Sequence, residues 1–143
     1  MLAYEYLHVV SFEETNLVGN VYFAHHVRWQ GRVRELFLRD HAPDVLQELD
    51  RGLSLVTTRV SCEYFAELFA FDQVLIRMEV KELSQSRVTM RYDYLRRGTE
   101  LVARGEQQIA CLRKEGDRLT PEALPHSLRH ALNQFAEPGI RLI

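Results

Sequence analysis

The 143-residue chain has two cysteines, four prolines and one tryptophan, and no apolar run approaching the length of a membrane span. Two cysteines cannot build a disulfide framework; Cys62 and Cys111 both fall in strand-like runs, where a small buried thiol is expected. No basic and apolar leader follows Met1, so a cytoplasmic protein is the simplest expectation. Charge is nearly balanced, 18 Lys and Arg against 20 Asp and Glu, which gives no global pull toward nucleic acid or anionic membrane. The chain has no Gly-x-Ser-x-Gly nucleophile elbow, no Walker loop and no dinucleotide-type glycine run. His25 and His26 are adjacent, so on a helix they diverge by about 100° and cannot share a metal. His126 and His130 have chelating i, i+4 spacing but no evident third ligand, so no metal and no organic cofactor are expected.

What is present is an ordinary globular composition, 46% hydrophobic and 27% charged, at a length that suits one domain over residues 1–143 with a sizeable core. Residues 4–11 read as a strand, and residues 13–16 as a polar loop whose turn chemistry comes from Gly19 and Asn20. A helix follows over about 25–40: Trp29, Val33, Leu36 and Phe37 recur at i, i+4, i+7 and i+8 and build one apolar stripe. Pro43 and Asp44 mark its end.

The period then becomes two. Val56, Thr58, Val60 and Cys62 alternate along one strand, Val74, Ile76, Met78 and Val80 along the next, and Val88, Met90, Tyr92 and Tyr94 along a third. Arg97-Gly98 turns into a long final strand over about 100–113, after which residues 114–118 end the sheet. Thr120-Pro121-Glu122 has the form of a helix start, and Leu128, Ala131, Leu132 and Phe135 share a face, which predicts a short helix at about 120–136, stopped by Pro138-Gly139. The order strand, long helix, four strands, short helix predicts an α+β domain with a five-stranded antiparallel sheet wrapped around one helix. One helix covers one face only, so the other face or an edge needs a partner, which predicts an oligomer.

The stretch Glu14-Thr15-Asn16-Leu17-Val18-Gly19-Asn20-Val21-Tyr22-Phe23, just before the Trp-bearing helix, resembles the active-site loop of hotdog-fold thioesterases of the 4-hydroxybenzoyl-CoA thioesterase type. Their pattern reads Asp-x-x-Gly-x-Val-aromatic-aromatic, and here the acid is Asn16, which can neither attack a thioester nor take a proton from water. The same run, followed by Gly31-Arg32-Val33-Arg34-Glu35, is similar to the enediyne polyketide thioesterases, which share the amide in place of the acid.

That resemblance implies a hotdog fold and release of a polyene, in particular a β-keto acyl chain, from the acyl carrier protein of an iterative polyketide synthase, the acid then losing CO₂. It also implies a homo-oligomer, a tetramer built from dimers. Asn16 would orient water or the thioester carbonyl, Arg34 would stabilise negative charge, and Glu35 would help hold the hydrogen-bond network. Backbone N–H groups around Gly19, Tyr22 and Phe23, at the positive end of the helix, would hold the oxyanion. Thr57, Thr58, Tyr64 and Phe65 are candidates to line the substrate channel. Arg28, Arg32, Arg39, Arg59, Arg87 and Arg91 could meet an acidic carrier or the phosphate of its arm.

Each assignment has a plainer reading beside it. Asn16 could close an Asx-turn, Arg34 could be a solvated helix arginine, and Glu35 is more ambiguous still. Glu13 and Glu14 are the carboxylates nearest to Asn16; they rank below a carboxylate-free mechanism because the family pattern puts its acid at position 16. A general acyl-CoA thioesterase, or a non-catalytic acyl-binding hotdog protein, are the alternatives.

Overall fold

The computed structural model describes residues 2–143; Met1, which opens the expected domain, lies outside them. Strand β1 (Tyr4–Val9) leads through a single 3₁₀ turn (Phe12–Glu14) and a loop into α1 (Ala24–His41), then α2 (Pro43–Leu49). Four long strands follow: β2 (Leu53–Tyr64), β3 (Gln73–Leu83), β4 (Arg87–Arg96) and β5 (Glu100–Glu115). The chain closes with β6 (Arg118–Pro121), α3 (His126–Gln134) and β7 (Ala136–Leu142). The sheet runs β1-β3-β4-β5-β2, with β6 paired to β5 and β7 to β3. This curled sheet around α1 is the hotdog fold. Among the described residues, no helix is long and apolar enough to cross a membrane.

The two-residue alternation puts Val74, Ile76, Met78 and Val80 of β3 and Met90, Tyr92 and Tyr94 of β4 into one core with Trp29, Val33 and Phe37 of α1. Burying each of the larger side chains contributes roughly 1.5–3 kcal/mol. On the outer face the intervening residues pair by charge: Arg91 with Glu79, Asp93 and Glu137, Arg104 with Asp93, and Lys81 with Glu106. That face is therefore covered by its own ion pairs. The edge strand β2 is not: from Thr57 to Ser61 every residue is exposed, and Tyr64 and Phe65 follow, also exposed.

Three expectations are corrected. The sheet has seven strands, because the five expected ones gain β6 and β7. Thr120-Pro121 does not start a helix; it pairs in β6 with Arg113 and Leu112, and α3 begins at His126 behind Pro125. Both prolines suit a helix start, but Pro121 also fits a short outer strand, where its missing N–H costs nothing. Pro138-Gly139 does not end a helix but sits within β7, which runs parallel to β3 through an irregularity, with Gly139 at φ +82°. The phase of β2 also changes within the strand. Thr57 pairs with Ile109 and Arg59 with Gln108, so Thr58 is an extra residue. The bulge puts Leu55 and Thr57 on the same face as Val60, Cys62 and Tyr64 rather than with Val56 and Thr58.

The helix lies close to the sheet because Gly105 leaves room for Gln30. This fully buried side chain donates from Nε2 to the Ser61 carbonyl at 3.1 Å. A Cβ at position 105 would fall 2.1 Å from Gln30 Nε2 and 2.8 Å from the Ser61 carbonyl oxygen. Since both the amide and the backbone are held, Gly105→Ala is expected to destabilise the fold by about 1–3 kcal/mol in chemical denaturation.

Candidate active site

The loop before α1 is a narrow turn closed by its own backbone. Asn16 N–H donates to the Asn20 carbonyl and Gly19 N–H to the Asn16 carbonyl, both at 2.9 Å, and Thr15 bridges to Val21. Gly19, at φ +93°, supplies the left-handed conformation that the turn requires. Asn16 Oδ1 accepts the Val18 N–H at 3.0 Å, so the Asx-turn forms. The Asn16 amide N–H₂ has no partner among the described residues and is exposed, in a groove with Phe12, Glu13, Thr15 and Leu17. What Asn16 offers a ligand is therefore a donor.

Glu14 anchors this loop to the helix. Its Oε2 accepts the indole N–H of Trp29 at 2.7 Å; its Oε1 accepts the Ser11 N–H at 2.8 Å and sits 2.9 Å from His8 Nε2. Burial alone would raise the Glu14 pKa, but the Ser11, His8 and Trp29 contacts together outweigh it and hold the carboxyl at about 2. A carboxylate so acidic and so fully engaged is a poor base at neutral pH. The contact between positions 14 and 29 has no sequence signature, because neither spacing nor residue type marks it.

At the start of α1, Tyr22 N–H is committed to the Glu14 carbonyl at 3.0 Å, and His25 N–H to the Tyr22 carbonyl at 3.0 Å. The N–H groups of Phe23 and Ala24 have no partner among the described residues. The free donors at the positive end of the helix are thus Phe23 and Ala24, whereas Tyr22 has none to give. Tyr64 OH donates to the Phe23 carbonyl at 2.7 Å and closes this end against β2. Phe65 beside it is exposed.

Arg34 lies elsewhere, ten residues on from Ala24, which is about 15 Å along the axis at 1.5 Å per residue. It is half-buried, and its guanidinium donates to Thr57 Oγ1 and Gln107 Oε1, each at 3.0 Å, with no carboxylate partner among the described residues. It is therefore a cation held by neutral oxygens at the mouth of an apolar cleft that includes Phe37, Leu55, Met90, Leu128 and Leu132. The free space in that cleft is ≈ 20 Å³, about one water molecule.

Thr58 turns away, its Oγ1 bonded to Gln108 Oε1 at 2.9 Å. Glu35 points to solvent, 3.8 Å from Arg32, and lines an open groove with Tyr6, His8, Glu14 and Trp29. Within one chain, then, the structure joins Arg34 to Thr57, and the Asn16 loop to the helix start and Tyr64. It does not join either cluster to Glu35 or to the other. Of the six arginines, Arg32, Arg39, Arg59 and Arg91 each lie within 4.0 Å of a carboxylate, and Arg28 and Arg87 do not among the described residues. Among the described residues no group of three or more His, Cys, Asp or Glu is placed to hold a metal.

Residues 10–132 match the thioesterase-like superfamily, and the chain belongs to it. The dynemicin thioesterase, whose crystal structures concern induced-fit and allosteric effects upon polyene binding, is 46% identical. It superposes with a TM-score of 0.92 over 96% of this chain and 99% of its own. A 1,4-dihydroxy-2-naphthoyl-CoA hydrolase from Thermosynechococcus vestitus is 26% identical over 136 residues, 93% of each chain. A 4-hydroxybenzoyl-CoA thioesterase at 17% identity shares the fold, with a TM-score of 0.79 over 91% of this chain and 98% of that one. The protein is a thioester hydrolase of the hotdog fold.

The Glu14 anchor is directly testable. Because its folded pKa lies near 2 against an ordinary 4.5, its contribution to stability is complete above pH 4.5 and is lost as pH falls toward 2. Glu14→Gln is expected to lower stability at neutral pH by about 1.5–3 kcal/mol, the size of a hydrogen bond to a charged group. It should also flatten that acid limb, both read by denaturation monitored through Trp29, the chain's one tryptophan.

Proposed function

We propose that the protein hydrolyses a polyene, in particular β-keto, acyl chain from the acyl carrier protein of an iterative polyketide synthase of the enediyne type. The observation that carries this reading is Arg34, an unpaired guanidinium held by Thr57 and Gln107 at the mouth of an apolar cleft. A site with a fixed cation and no free carboxylate suits a substrate that supplies its own electron-withdrawing carbonyls. The 46% identity with a thioesterase studied in complex with a polyene supports the substrate class.

In the proposed reaction, Phe23 and Ala24 N–H receive the thioester oxygen, and the Asn16 amide donates to the same oxygen or to the attacking water. Water oxygen bonds to the carbonyl carbon; the tetrahedral oxyanion collapses, the C–S bond breaks, and the water proton passes to the departing thiolate or to solvent. The free β-keto acid then loses CO₂ through its enol, leaving a methyl ketone. Glu35 serves at most through its exposed pairing with Arg32. Tyr64 and Phe65 flank the thioester end, and Thr57 the chain end. The carrier's phosphate is assigned to Arg28, the uncommitted cation nearest the helix start.

Asn16 and Arg34 stand too far apart for one carbonyl to meet both in a single chain. A second copy, joined along the bare edge of β2 and turned end for end, would bring the helix start of one chain to the Arg34 of the other. The proposed assembly is therefore a homodimer with two shared sites, and two such dimers form a tetramer. The free space beside Arg34 is small, so α3 must yield to admit a chain. The likeness to a CoA thioester hydrolase favours a second reading, that the acyl group arrives on CoA.

Turnover of one β-keto acyl group on CoA and on a carrier protein separates the readings: faster release from the carrier is expected, and a strong CoA preference overturns it. Asn16→Ala and Arg34→Ala are each expected to lower kcat by about 10²–10³-fold. Were both as fast as the parent, the assigned site would be wrong.

A further inference from the structure

Beside the helix start lies a second, smaller pocket of ≈ 170 Å³, bounded by Asn20, Val21, Phe23, His26, Tyr64, Ala66, Glu67 and Leu68. Its polar wall is unusual. His26 is 3% exposed, yet neither ring nitrogen has a well-formed hydrogen bond among the described residues, and neither does the buried Oδ1 of Asn20. The His26 ring is fixed rather than loose: it packs 5.1 Å from the Trp29 ring, 4.8 Å edge-on to Tyr64 and 5.5 Å from Tyr94. Asn20 is fixed as well, its Nδ2 donating to Glu67 Oε1 at 3.1 Å. Buried polar atoms without partners cost about 1–3 kcal/mol each, so rigid ones lining one pocket imply an occupant.

The wall defines that occupant's chemistry. Burial pushes the His26 pKa down to about 4, so near neutral pH the imidazole is uncharged and presents one donor and one acceptor. Asn20 Oδ1 only accepts. A carboxylate or phosphate has no hydrogen to give it, and Glu67 would repel either. An alkyl group would leave every orphan unpaired. A secondary amide, with an N–H and a C=O in one plane, answers both walls. Every pantetheine thioester carries such an amide two methylenes from its sulfur, whether the arm belongs to CoA or to a carrier protein. The free Phe23 N–H borders the same pocket.

We propose that the His26–Asn20 pocket is an amide subsite that holds the pantetheine arm while its thioester lies on the helix start. The inference rests on the hydrolysis site proposed above, and its test separates the two. One acyl group is presented on N-acetylcysteamine, which has the amide, and on 4-methylpentane-1-thiol, its apolar isostere, and kcat/KM is normalised to uncatalysed hydroxide hydrolysis. The parent is expected to favour the amide-bearing thioester about tenfold. The preference should fall toward unity in His26→Phe and be partly kept in His26→Gln, which retains a donor and an acceptor.

Equal normalised rates in the parent overturn the inference without any variant, as does a preference unchanged in His26→Phe; the pocket would then hold only water. If neither thioester turns over, the hydrolysis site fails, and the amide subsite is judged by pantetheine binding read from Trp29 fluorescence. Binding weakened at least fivefold in His26→Phe but not in His26→Gln upholds the subsite, and anything else, including no binding to the parent, overturns it.

Discussion

The hydrogen bond from the Trp29 indole to the Glu14 carboxylate ties the loop to the helix, and the placement of every group at the helix start depends on it. Glu14 also receives Ser11 and faces His8, so one side chain collects strand β1, the 3₁₀ turn and α1 at a single point. Its carbonyl takes the Tyr22 N–H, which turns the chain so that the next two N–H groups open outward. An anion serves this purpose better than a neutral group because three donors converge on it in a partly dry place. The carboxylate lying nearest to Asn16 in sequence is thus spent on architecture.

That use of Glu14 leaves a hydrolase whose charged group is a cation. Thiolates leave readily, so a thioester needs its carbonyl polarised more than its nucleophile deprotonated. Backbone dipoles and a guanidinium supply that polarisation and do not titrate near neutrality. Arg34 stays unpaired because its neighbours Thr57 and Gln107 are neutral acceptors that orient it without neutralising it. An acid at either position would hold it more firmly and cancel its field.

The long periodic segments were legible from residue order alone. The stripe through Trp29, Val33 and Phe37 and the alternations in β3 and β4 each repeat enough to overrule local ambiguity. The C-terminal region was misread where one motif fits two structures: Thr120-Pro121 suits a helix start and an outer strand equally, and only the pairing with Leu112 and Arg113 decides. The loop motif located Asn16 and its turn. Neither the Glu14–Trp29 contact nor the orphaned wall of His26 and Asn20 could be foreseen, since each is made by residues that meet only after α1 settles on the sheet. Gly105 is similar: nothing around it in sequence marks it as the floor beneath Gln30.

The extra residue at Thr58 has its own consequence. It sits between the half of β2 that faces Arg34, through Thr57, and the half that faces His26, through Tyr64. Because the slip is absorbed locally, substitutions on one side need not be compensated on the other. Selection can thus reshape the compartment for the chain's tail while the compartment for its head stays as it is, and a lineage of such proteins could change cargo without relearning how to grip the handle.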